Sequence, residues 1–294
     1  MKPAPFEYYA PTTVEEALAH LSEHGYDAKP LAGGQSLIPM MNFRLAQPAV
    51  LVDLNNIPSL SFIRADENGG LRIGAMTRHV QVEHDPLVAE RAPLIHETMP
   101  MIATTQIRSR GTFGGSISHA DPSAELVAVS VILDARFRVR SQGGDRWVPA
   151  NEFFVGICTT QMAPVELLTE IAIPPMLPRS CWALMEIARR PHDFALVGVT
   201  AVVTLDDNRR CQGARIGMLS VGDGPVEAYQ AEAALIGQAP SPEALAAAAE
   251  IAATEDIDPG NDIHASAGYR RHLVNVLTQR ALKLAFGRAS RNVQ

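Results

Sequence analysis

Two short turns, each built on a pair of adjacent glycines, constrain this chain more than any other feature. They are Leu31-Ala32-Gly33-Gly34-Gln35-Ser36 and Gly111-Thr112-Phe113-Gly114-Gly115-Ser116. Each follows an apolar or extended approach and leads into a helical pattern, so backbone N–H groups can point outward with no Cβ in the way. Such a turn is a cradle for an anion. A single Gly-Gly pair is more often loop punctuation. Two of them, about 80 residues apart, can grip two phosphates of one ligand, or one phosphate pair from two sides. A dinucleotide is the economical ligand. The sequence has no G-x-x-x-x-G-K-[ST] and no G-x-G-x-x-G after a strand, which excludes a P-loop and argues against a Rossmann unit.

At 294 residues the chain is long for one domain, and two or three compact units are expected. A net charge of −7, 19% charged residues and scattered Lys and Arg describe an ordinary globular surface and give no sign of a nucleic-acid partner. Cys158, Cys181 and Cys211 are odd in number and far apart, which suits a reducing cytoplasm and cannot supply the four thiolates of an iron-sulfur cluster. With no apolar h-region after Met1 and no run of 18 apolar residues, neither export by a signal of its own nor a membrane span is expected.

Residues 1–57 read as a small α/β unit: a helix capped at Thr12-Thr13 and ending at Gly25, a strand over 29–32, and a strand over 50–53. Residues 58–176 read as a larger α+β unit, with strands near 60–64, 71–74, 136–140 and 167–173. Its helices are expected to start at Thr77, to carry Leu94, Ile95 and Met99, and to begin with Pro122 at the first position. Pro174-Pro175-Met176-Leu177-Pro178 breaks both kinds of element and marks a boundary. Residues 177–294 then give strands over 182–188, 194–205 and 214–221. Helices follow over 225–236, 242–254 and 267–286, the last with an apolar stripe of Leu273, Val276, Leu277 and Leu284. That tail reads as an amphipathic helix on its own sheet, or as an interaction module.

Ala32-Gly33-Gly34-Gln35-Ser36-Leu37-Ile38-Pro39-Met40-Met41, with Arg44-Leu45, and Thr112-Phe113-Gly114-Gly115-Ser116 with Asp121-Pro122, resemble the paired motifs of the FAD-binding medium subunit of molybdenum hydroxylases. The resemblance covers essentially the whole chain. It implies an α+β protein with a vanillyl-alcohol-oxidase (PCMH)-type FAD-binding fold in two subdomains, plus a C-terminal antiparallel sheet with a helical bundle. It also implies non-covalent FAD, and partner subunits in an (αβγ)2 assembly: a large one carrying the molybdenum cofactor and a small one carrying [2Fe-2S] clusters. Electrons would pass from those clusters through this FAD to an external acceptor. The lack of cluster cysteines here makes such partners necessary.

The cofactor contacts expected on this basis are Leu31, Ala32, Gly33, Gly34, Gln35, Ser36, Leu37, Ile102, Thr112, Phe113, Gly114, Gly115, Ser116, Asp121, Glu125, Leu168, Glu186 and Phe194. Backbone N–H groups of both turns would bind the diphosphate, helped by the hydroxyls of Ser36, Thr112 and Ser116. Relatives often carry His or Asn where this chain has Gln35 and Ser116, and both replacements keep hydrogen-bonding capacity. Asp121 and Glu125 read as acceptors for ribityl or ribose hydroxyls, or, for Asp121, as an Asx turn before Pro122. Leu168 matches a leucine that packs on the flavin's apolar edge. Phe194, in Arg189-Arg190-Pro191-His192-Asp193-Phe194, either covers the ring or belongs to the core. Relatives often have Lys at the position of Glu186. A charged carboxylate there disfavours negative charge on the reduced ring and lowers its potential. No catalytic residue of the chain's own and no metal site is expected, since His119 and Asp121 are too few ligands. The rival reading is a stand-alone flavin oxidase, for which His192 is the only base at hand. A third is a nucleotide-binding module without redox chemistry.

Overall fold

The computed structural model of the protein describes residues 2–292. The N-terminal elements are β1 (Glu7–Tyr9), α1 (Val14–His24), β2 (Ala28–Leu31), α2 (Leu37–Asn42) and β3 (Val50–Asp53), and the strands form a parallel sheet in the order β1-β3-β2. Helix α1 starts where it does because the Thr13 hydroxyl accepts from the Glu16 amide at 3.2 Å while the Glu16 carboxylate accepts from the Thr12 amide at 2.8 Å. Val14, Ala17, Leu18 and Leu21 recur at helical spacing and are buried in one cluster with Val50 and Val52 of β3. Gly25, at φ +53°, ends the helix. Because the strands run parallel, the Ala32–Ser36 turn lies off the carboxyl end of β2, where open parallel sheets bind ligands.

The middle of the chain forms β4 (Ile63–Ala65), β5 (Leu71–Gly74), α3 (His79–His84), α4 (Pro86–Arg91), α5 (Pro93–Thr98), α6 (Thr105–Arg108), α7 (Phe113–His119), α8 (Glu125–Ile132), β6 (Arg136–Ser141), β7 (Gly144–Pro149), α9 (Ala150–Phe153), β8 (Phe154–Gly156), β9 (Thr159–Thr160) and β10 (Leu167–Ile173). Its main sheet is antiparallel, in the order β4-β5-β10-β6-β7. Two helix starts differ from expectation for local reasons. Thr77 does not cap α3, because its hydroxyl is held by the Phe62 backbone, accepting at 3.1 Å and donating at 2.9 Å, and Arg78 takes the cap position. α8 begins at Glu125 rather than at Pro122, because the Asp121 carboxylate accepts from the Ser123 amide at 2.8 Å and its carbonyl from the Ala124 amide at 2.9 Å, which turns the chain first. β7 was not anticipated, its outward residues being too polar to show a strand period.

The C-terminal part forms β11 (Ser180–Ala188), β12 (Ala195–Leu205), β13 (Cys211–Leu219), β14 (Val226–Glu227), α10 (Tyr229–Leu235), α11 (Pro242–Thr254) and α12 (Ala267–Asn292). The sheet is antiparallel, in the order β11-β12-β13-β14. The segment after Pro225 adds the short edge strand β14 before any helix, a correction to the sequence reading. Alternation divides β11: Cys181 and Ala183 join the core under the helices, while Trp182 and Leu184 pack on the middle core. Glu186 continues the second series. α12 is part of the fold rather than a free module. Its buried line runs through Leu273, Leu277, Ala281, Ala285 and Ala289, whereas Val276 and Leu284 sit at its margin, the 3.6-residue period having carried the stripe around. Helix α8 seats on β13 at Gly217, where an added Cβ would stand 2.4 Å from Ile132 Cγ1.

Gly217→Val therefore overpacks this seam and destabilises the protein by about 1–3 kcal/mol. Adding Ile132→Ala to that variant recovers part of the loss, as read by urea denaturation of the single and double variants.

Candidate cofactor-binding site

The two glycine turns meet. A Cβ on Gly33 would lie 2.4 Å from the Arg110 carbonyl oxygen and 2.8 Å from Gly111 Cα, and one on Gly115 would lie 3.6 Å from the Ala32 Cβ. Backbone therefore touches backbone, which only glycine at position 33 allows. Gly34, at φ +75°, then turns the chain into α2. Among the described residues, the amides of Gly33, Gly34, Gln35, Ser36 and Leu37 donate to no acceptor of the chain, and Ser36 gives α2 no side-chain cap. Gln35 and Ser36 are exposed, and the Gln35 amide group donates to the Gly33 carbonyl at 3.1 Å.

The second turn differs from expectation. Its amides, that of Thr112 apart, are already engaged: Gly111 with Ile107 O, Phe113 with Thr77 O, Gly114 with Ala75 O, Gly115 with the Thr112 hydroxyl and Ser116 with Thr112 O, all at 2.7–3.1 Å. Phe113 is fully buried in the core and Thr112 is 2% exposed as the cap of α7, so neither side chain is open to a ligand. Gly114 is required by Ala75, whose Cβ would lie 2.5 Å from an added Cβ. The Leu168 side chain, 3% exposed, is likewise core, and Ile102 is 8% exposed, its carbonyl accepting from Arg108 at 3.1 Å. The second turn is thus a wall on which the first one rests. Its partially open residues are Gly115 and Ser116.

A lock that sequence reading missed holds the turns together. The Asn55 amide group donates to the Ala32 carbonyl at 3.0 Å, and the Arg78 guanidinium donates both to Asn55 Oδ1 and to the Arg110 carbonyl. Below it, Arg108 forms a two-pronged ion pair with Glu83, at 2.7 and 3.1 Å, and donates to the carbonyls of Ile102 and Ala103. His79 lies under Gly111, with Nδ1 3.0 Å from where a Cβ would be. Burial, reinforced by the Arg108 and Arg78 charges, pushes its pKa down to about 4, so it is neutral in the folded protein. The available signal was Arg108-Ser109-Arg110 immediately before Gly111, two cations beside a turn read as an anion cradle.

From the cradle, α7 leads to the acidic residues. Asp121 forms the Asx turn already described. Glu125 follows on the first turn of α8, and Glu186 faces it from β11. Burial raises both pKa values to about 7; the Asp121 charge raises Glu125 further, and the Glu125 charge raises Glu186. Glu186 Oε2 is buried with no hydrogen-bond partner. The pair is therefore not the fixed negative charge expected of Glu186. Phe194 is 70% exposed at the β11–β12 hairpin, which rules out the core alternative for it. A separate hollow of about 240 Å3, lined by Arg64, Arg138, Arg140 and Glu170, contains none of these residues, and its arginines 64 and 138 are engaged with Glu170 at 3.1 and 3.5 Å.

Residues 4–176 match the family model described as FAD binding domain in molybdopterin dehydrogenase, and residues 182–285 match the CO dehydrogenase flavoprotein C-terminal domain. The chain belongs to the FAD-binding medium subunits of molybdenum hydroxylases. It is 39% identical to the 6-hydroxypseudooxynicotine dehydrogenase complex subunit alpha of Paenarthrobacter nicotinovorans, over 98% of this chain and 97% of that protein. It is 38% identical to caffeine dehydrogenase subunit beta of Pseudomonas sp. strain CBB1, with the same coverage. The solved carbon monoxide dehydrogenase of Hydrogenophaga pseudoflava superposes with a TM-score of 0.94 at 38% identity, covering 98% of this chain and 99% of the matched one. The fold is accordingly the PCMH type. No helix among the described residues is long and apolar enough to cross a membrane.

In this medium subunit the acidic pair makes stability depend on pH in a definite sense. The folded state holds the Glu186 proton up to about pH 7, while the ordinary carboxyl value is 4.5, so the folded form binds more protons between them and loses stability as pH rises through that window. Glu186→Gln removes the loss. After allowance for solvent screening, the variant is more stable than the wild type by on the order of 1–2 kcal/mol above the window and equal to it below, measured by denaturant unfolding at both ends.

Proposed function

We propose that this subunit relays electrons. A large partner bearing the molybdenum cofactor hydroxylates a substrate with water, [2Fe-2S] clusters on a small partner carry the electrons onward, and FAD on this chain hands them to an external acceptor. The proposal includes an (αβγ)2 assembly, a cytoplasmic location, and three structural units over 1–57, 58–176 and 177–294. The observation that carries it is the unspent amide row of Gly33 to Leu37 braced against a wall of spent amides, with cationic Arg78 in the lock beside it. That arrangement fits a diphosphate: several N–H donors converge where no side chain fills the space, and a guanidinium offsets negative charge.

When bound, FAD supplies the electron-carrying chemistry. The chain's residues do the rest. Amides 33–37 and the Ser36 hydroxyl would hold the diphosphate, with Gly115 and Ser116 on its far side. Glu125 and Glu186 each take up a proton near neutrality and would adjust the charge beside the ring, so the electrostatic effect of Glu186 grows as pH rises through about 7. Phe194, exposed on the hairpin, would cover the ring. The names of relatives as subunits of dehydrogenase complexes support the partner assignment.

Gly33→Val drives Cβ into the Arg110 carbonyl and parts the turns. The expected result is a folded protein, judged by circular dichroism, that retains less than about a tenth of the wild-type flavin, judged by visible absorbance per chain. Purification of the native complex should bring down a larger molybdenum-containing chain and a smaller iron-sulfur chain. A solitary polypeptide that oxidises substrate by itself would replace the relay with the oxidase reading.

A further inference from the structure

We propose that His20, Glu23 and His24, on one face of α1, form a binding site for a divalent cation of the zinc class. One ligand atom from each residue lies within 4.8 Å of the other two. Residues i, i+3 and i+4 of a helix project from the same face, so the backbone itself sets the grouping. His20 Nδ1 and His24 Nε2 are sealed from solvent and have no hydrogen-bond partner, and Glu23 Oε2 stands 3.8 Å from His24 Nε2. A desolvated imidazole nitrogen without a partner is costly, and a cation drawn between the two rings relieves that cost at both.

The surroundings hold the rings in place. Tyr9 of β1 stacks on His20 at 4.1 Å and on His24 at 5.5 Å between ring centroids, and the two imidazoles lie within 9° of parallel. Tyr9 is itself steadied by its hydroxyl, which donates to the Glu7 carboxylate at 3.0 Å. The Glu23 side chain is 69% exposed, so the site opens to solvent on that side and water can complete a tetrahedral shell. Two imidazoles and one carboxylate suit Zn2+, Co2+, Ni2+ or Cu2+. Mg2+ and Ca2+ favour oxygen ligands throughout. A cation here would clamp the last turns of α1, the segment that leads through Gly25 into β2 and the cradle.

The test is isothermal titration of the untagged full-length flavoprotein with ZnCl2 alone, paired with thermal unfolding with and without the ion. The expected result is one equivalent bound and a raised Tm. Affinity should fall more than about tenfold in His20→Ala and in His24→Ala and less in Glu23→Gln, with flavin content unchanged. Zinc binding that survives the double histidine variant, for instance at the exposed thiol of Cys158, would overturn the proposal. So would the absence of stoichiometric binding, and so would zinc binding that leaves Tm unmoved.

Discussion

The contact of Gly33 with the Arg110–Gly111 backbone is the constraint on which the site depends. It joins a loop of the parallel N-terminal sheet to a loop of the antiparallel middle sheet at a separation no side chain permits. The first loop is thereby supported without surrendering its own hydrogen-bond donors. Unpaired amides are costly to bury and are tolerated here because Gly34 to Leu37 are partly or fully exposed, where water or an anionic ligand satisfies them. The lock through Asn55 and Arg78 and the buried Arg108–Glu83 pair stiffen that contact from below. Arg78 adds positive charge at the same place.

The acidic end of the site follows from the third sheet. Period-two alternation along β11 turns Glu186 to the same side as Trp182 and Leu184, toward the middle body, and the Asx turn at Asp121 delays α8 until Glu125. Burial, reinforced by the charge of Asp121 on Glu125 and of Glu125 on Glu186, makes both hold protons to higher pH. A chain that replaces a cation by a carboxylate at this position therefore gains a group whose charge depends on pH, not a permanent anion.

Much of this was legible beforehand, and the failures have physical causes. The glycine pairs identified both turns, and strands such as Leu167–Ile173 were readable from their apolar runs. The sequence could not tell that Gly114 of the second pair is taken up by packing against Ala75, because packing and binding place the same demand on Cβ. Gly114 is glycine on account of Ala75, and Phe113 is core. Asn55 and Arg78 escaped notice because their roles arise from contacts across 23 residues of chain, which no local period encodes. The drift of the α12 stripe and the early strand β14 were decided by tertiary packing over local pattern.

Hydrogen exchange measured by mass spectrometry, on the flavin-free protein before and after FAD is added, tests the division of labour between the turns. The account predicts that peptides covering residues 33–37 gain strong protection on FAD binding. Peptides covering 113–116, whose amides are already bonded within the chain, should change little. Equal protection in both turns, or protection confined to the second, would contradict it.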